Sequence, residues 1–268
     1  MSTDIIVRFT DSYVQKLGDI KKVVGLMSPK SLIQIIDTLD LDANPRNSRL
    51  GSVTDAIQAS IRADELSPAQ KLFPFKSKGI LLASSSYEPL ERGRYRLSFT
   101  PHDEVEGILD GGHNTLAIGS YILSEAELAL GNRPPKKSEV SIWDSFKQTW
   151  TIRRADIEEY LSLLREDKTA LKEQGISTLN FSIPVELLVP TDPSDALCVE
   201  NFRTSLLEIC DARNNNAQLT QGTKGNQEGL FDSFKALFVE KYPEFAGNIS
   251  WKTNDGKPIE SRKLVALS

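Results

Sequence analysis

The chain predicts an α+β fold, a mixed sheet packed against several helices. Short apolar runs with strand character, such as Ile80-Leu81-Leu82-Ala83 and Phe181 to Val189, alternate with longer segments whose apolar residues recur every three or four positions. Clusters of Gly and Pro, such as Gly131 to Pro135 and Pro190 to Pro193, punctuate them. Strands interleaved with helices bury their apolar surfaces by packing helices on a sheet. The 268 residues are expected to form a single domain. Residues 1–40 supply an N-terminal strand and helices, 41–245 the core, and 246–268 a C-terminal extension that reads as leading into a further element.

The first element is a strand, Asp4 to Phe9. Val14, Leu17, Ile20 and Val23-Val24 then fall at helical spacing, which predicts a helix over 11–25. Ser28-Pro29 reads as an N-cap followed by Pro at the first helical position, opening a helix from Pro29 to Leu39. Asp40 to Arg49 is a polar loop whose Arg46 and Arg49 are placed to reach an anion. Val53 to Leu66 is helical by its apolar period, and Leu72 to Ala83 ends in a buried strand preceded by Lys76 and Lys78. Tyr87 to Arg96 reads as a charged turn and Tyr95 to Thr100 as a half-buried strand.

Next comes the stretch in which the chemistry is concentrated, Ile108-Leu109-Asp110-Gly111-Gly112-His113-Asn114-Thr115-Leu116. An apolar strand ends in an acid, two glycines allow a tight turn and a close approach of ligand to backbone, and three small polar residues open a helix. Unpaired N–H groups and the positive end of the helix dipole favour an anion there, most often phosphate. The alternative reading is a turn that only caps its helix, since Asp-Gly is a common turn pair and Asn or Thr a common cap. The helix runs to about Leu130, where Gly131 stops it.

Beyond it, Trp143 to Trp150 shows no clear period, and Ile152 to Glu173 reads as one amphipathic surface helix. Phe181 to Val189 is a buried strand, and Asp195 to Ala212 a helix. Directly after that helix lies a second polar cluster, 211–227, rich in amides and hydroxyls and containing Arg213, Asn214, Asn216 and Gln218. Such groups suit phosphate, ribose and base edges. Solvated polar loop is the competing reading. The helix that follows carries Leu230-Phe231, Phe234 and Leu237-Phe238.

Composition narrows the function. A net charge of −5 argues against a protein that coats nucleic acid over a broad face. Cys198 and Cys210 form neither a CxxC pair nor a zinc pattern, and no run resembles a leader or a membrane span, so a cytoplasmic protein is expected.

The order of these segments resembles the abortive-infection phage-resistance (AIPR) proteins of bacteria. The resemblance rests on Asn44-Pro45-Arg46, the helix around Val53 to Ile61, Phe73 to Ile80, the Gly111 to Thr115 turn, and Arg213-Asn214-Asn215-Asn216-Ala217-Gln218 leading to Leu230-Phe231-Asp232. It covers roughly residues 40–240. The turn is also similar to the Asp-Gly-Gln-His-Arg turn of ParB and sulfiredoxin-like proteins, which implies a core of that kind. The chain departs from this pattern at His113, where Gln is usual, and at Asn114, where an Arg grips phosphate; Arg46, Lys76, Lys78 or Arg213 would have to replace that Arg.

The expected function is therefore a nucleotide-handling defence protein. A nucleotide or other phosphate-containing ligand sits between the Gly111-Gly112-His113 turn and the 211–227 loop, held by Gly111, Gly112, Asn114, Thr115, Arg46, Lys78, Arg213, Asn214, Asn216 and Gln218. If it is hydrolysed, in the manner of an NTPase, His113 is the acid or base, with Asp110 beside it. Asp110 or Glu208 would carry a Mg²⁺ ion bridging phosphates, although no dedicated metal motif is present. Two other classes stay open: a nucleic-acid or DNA-processing module using the same pocket, and a protein-interaction module that pairs with a defence partner or a second copy.

Overall fold

A computed structural model describes residues 3–44, 48–66, 71–100, 103–215, 232–250 and 257–260. The fold is α+β. Its elements run β1 (Thr3–Leu17), β2 (Ile20–Met27), α1 (Pro29–Thr38), α2 (Ser52–Leu66), α3 (Phe73–Lys76), β3 (Ile80–Ala83), β4 (Ser86–Leu90), β5 (Arg94–Phe99), β6 (Gly107–Asp110) and α4 (Gly112–Ala129). There follow α5 (Trp143–Ile152), α6 (Arg154–Glu166), α7 (Lys168–Glu173), β7 (Ile183–Pro190) and α8 (Ala196–Asn215), then the short helices α9 (Asp232–Lys241) and α10 (Pro243–Ala246). Ile249–Ser250 and Ile259–Glu260 pair as a small parallel ladder.

The main sheet has seven strands in the order β4-β5-β1-β2-β7-β3-β6. β3 runs parallel to β7, and the other neighbours are antiparallel. Strands from 1–40 sit in its middle, so that segment and the 41–245 segment share one sheet. Alternation sorts the side chains. Ile80 and Leu82 of β3 join the large core under the helices, with Leu32, Ile36, Leu116 and Phe146, whereas Leu81 and Ala83 face Phe202, Leu206 and Cys210 of α8 on the other side. Burial on both faces explains why β3 is a continuous apolar run.

The chain over 11–25 is not a helix. β1 continues to Leu17 and turns back through Gly18-Asp19, with Leu17 opposite Ile20 and Val14 opposite Val23. A two-residue Gly-Asp loop between β-branched runs is a hairpin signal, and it overrides apolar spacing that happened to suit a helix. Two further readings are corrected. Tyr87 to Arg96 is no turn throughout, because β4 pairs with β5 around Glu91–Gly93. Residues 143–173 form three helices, and Trp143, Phe146 and Trp150 all turn inward at helical spacing. The helix from Pro29, the helix over 53–66 and the stop at Leu130 stand where the sequence puts them.

Candidate functional site

β6 is an edge strand whose register slips against β3: Leu81 faces Asp110, and Leu82 faces Ile108. The extra residue at this bulge places both Leu109 and Asp110 opposite Leu81, on the face that α8 covers. Leu109 is buried there and Asp110 is exposed at the strand end. The Asp110 carboxylate accepts the Gly111 N–H at 2.7 Å.

Gly111 then takes a left-handed conformation, with φ 87° and ψ 18°, and caps α4. A Cβ on it would lie 2.4 Å from the Gly79 carbonyl oxygen, so no other residue fits without displacing backbone. A Cβ on Gly112 would meet Ser48 Oγ at 2.4 Å and Asn44 Nδ2 at 3.2 Å. The two glycines therefore let Gly79 on one side, and Leu41, Asn44 and Ser48 on the other, pack against the start of α4. Leu41, Ala43, Asn44 and Ser48 are buried, so the polar Asn44 and Ser48 belong to a packed surface.

The side chains of the turn divide into two kinds. Asn114 is committed inward: its Nδ2 donates to the Gly79 carbonyl at 2.7 Å, and its Oδ1 accepts from Ser77 Oγ at 3.4 Å. Thr115 is fully buried and its hydroxyl donates to the Gly111 carbonyl at 3.1 Å. Both were expected to touch ligand, and both instead fasten the turn. His113 is half-buried, while Asp110 and Lys78 are exposed, the latter immediately before Gly79.

The last turns of α8 reach the same end of the sheet. Ala43, Leu109 and Cys210 share one apolar cluster. Burial, reinforced by the Asp110 carboxylate and opposed by Arg213, pushes the Cys210 thiol up to about 12. Arg213 donates to Glu186 at 2.7 Å, and Lys22 reaches the same oxygen at 2.9 Å. Glu186 lies in the cross-strand row of Leu81 and Asp110, about 10 Å from Asp110 by ordinary strand spacing. Burial alone would raise its carboxyl, but the bonds from Arg213 and Lys22 outweigh that and hold it below the usual range. Arg213 thus carries an ion pair within the fold. Asn214 lies in the final turn of α8; its side chain, together with Arg46, Asn216 and Gln218, is outside the described residues.

Among the described residues no group of three or more His, Cys, Asp or Glu side chains is placed to hold a metal ion. Asp110 and the exposed Glu208 belong to no such group there. Sequence reasoning missed Ser77, Gly79 and Ser48, which hold the turn, and Glu186, which holds Arg213. Only the position of Gly79 at the head of an apolar strand hinted at this. No helix among the described residues is long and apolar enough to cross a membrane. No protein-family model, no curated protein and no solved structure matches the chain.

Proposed function

We propose that the Asp110–Thr115 turn binds a phosphate-bearing ligand of the nucleotide class, in a defence protein of the AIPR type. The observation that carries this reading is convergence: the 41–44 loop, the β6–α4 turn and the C-terminal half of α8 meet at one end of one sheet. These are the segments in which the sequence concentrates Asn, Gly, His and Arg. Backbone N–H groups at the start of α4 receive the phosphate. Lys78 immediately precedes Gly79, which packs on the turn, and Arg46 follows the 41–44 segment in the sequence; positive charge is assigned to these two. Asn214 lies in the last turn of α8, and Asn216 and Gln218 come next in the sequence; their amides are assigned to the base or sugar. His113 is the proton carrier. In hydrolysis a water oxygen bonds to the terminal phosphorus, the bond to the bridging oxygen breaks, and His113 takes the water proton.

Isothermal titration of each common nucleoside triphosphate with Mg²⁺ tests this. The expected result is saturable binding that weakens at least about tenfold, roughly 1.4 kcal/mol, in both His113→Ala and Lys78→Ala at unchanged melting temperature. Absence of binding, or equal binding in both variants, overturns the reading.

A further inference from the structure

A cavity of about 500 Å³ lies between α2, α4, α7 and the loop that follows α7, with Arg62, Tyr121, Glu125, Lys168, Lys172 and Ser177 among its lining residues. That volume is within the range of small-molecule sites, about 300–1,000 Å³.

Its wall is a strained loop under unusual restraint. Leu179 has φ 51°, in the left-handed region that a bulky residue rarely occupies. Glu125 accepts the Ser177 N–H at 2.8 Å, and Tyr160 Oη donates to the Ser177 carbonyl at 2.5 Å. The Leu179 N–H donates to Ser177 Oγ at 3.0 Å, the Asn180 N–H to Glu65 at 3.0 Å, and Lys71 Nζ to the Asn180 carbonyl at 2.9 Å. Side chains from α2, α4 and α6, with Lys71, therefore fix this backbone from several directions.

The same bonds decide the sign of the cavity. Both acids that line it are consumed by the protein. Glu65 accepts from Asn180 and, at 2.7 Å, from the Tyr121 hydroxyl. Glu125 accepts from Ser177 and, at 3.2 Å, from Arg62. The cations are not consumed to the same degree. Arg62 spans the Tyr121 ring at 5.5 Å and spends one N–H on Glu125, while 59% of its side chain stays exposed. Lys168 and Lys172 stand one turn apart on α7, exposed, with no ion pair among the described residues. Acids turned inward and cations turned toward the opening leave an electropositive mouth over a rigid floor.

We propose that this cavity is a second binding site, independent of the α4 turn, and that it takes a small phosphate-bearing anion. Phosphate, with a charge near two and several acceptor oxygens, matches three cationic donors better than a single carboxylate does.

The probe is inorganic pyrophosphate, titrated into the full chain labelled with ¹⁵N, with AMP and adenosine as parallel arms. Saturable amide shifts are expected at 168–172 and 177–180, at least about tenfold weaker in Lys168→Glu/Lys172→Glu, a surface pair that leaves the melting temperature unchanged. AMP binding tighter than pyrophosphate identifies a nucleotide, and pyrophosphate alone identifies free phosphate; adenosine is expected to give no shift. No saturable shift with either anion, or shifts undiminished in the double variant, overturns the proposal.

Discussion

The side-chain amide of Asn114 donates to the main-chain carbonyl of Gly79 at 2.7 Å, across 35 residues of sequence. This bond joins the first turn of α4 to the entry of β3 and gives a polar residue at the start of that helix a structural task.

Asn114→Ala leaves the buried Gly79 carbonyl without its partner, at an expected cost of about 1–3 kcal/mol. Thermal and urea unfolding measure that loss. Because Asn114 holds the turn rather than the ligand, the variant is expected to weaken nucleotide binding no more than its destabilisation explains. A binding loss at full stability would return Asn114 to the ligand.

Gly111 and Gly131 both have positive φ but different surroundings. A Cβ at Gly131 meets nothing within 4 Å, whereas one at Gly111 lies 2.4 Å from the Gly79 oxygen. Gly131→Ala therefore carries the left-handed strain alone, about 1–2 kcal/mol. Gly111→Ala is expected to cost distinctly more in chemical denaturation. Equal costs would mean that the turn does not press against Gly79.

Glu186 gives the fold an acid limb. Its folded value lies below the usual carboxyl value of about 4.3, so its contribution is present above that unfolded value and disappears as pH falls through the folded one. Melting curves between pH 7 and pH 3 are expected to fall more steeply for the native chain than for Glu186→Gln, which lacks the titration. Parallel curves would contradict the Arg213–Glu186–Lys22 arrangement.

Legibility in the sequence followed the range of the interactions involved. β3 was legible because both its faces are buried and every residue from Ile80 to Ala83 is apolar. The β1–β2 hairpin was not, since Val14, Leu17, Ile20 and Val23 fit a helix equally well and only Gly18-Asp19 argued otherwise. In α5 the signal was present but thin, three aromatics among polar residues. At the site, Gly111 and Gly112 declared a tight turn, whereas the tasks of Asn114, Arg213 and Glu125 depend on partners 35, 27 and 52 residues away. No local pattern encodes such partners.

Hydrogen–deuterium exchange, followed by mass spectrometry with and without a saturating nucleoside triphosphate and Mg²⁺, tests the central claim most directly. The account predicts that peptides covering 107–118 and 211–227 gain protection together, because it assigns one ligand to both segments. Protection in neither peptide, or in only one of them, would contradict it.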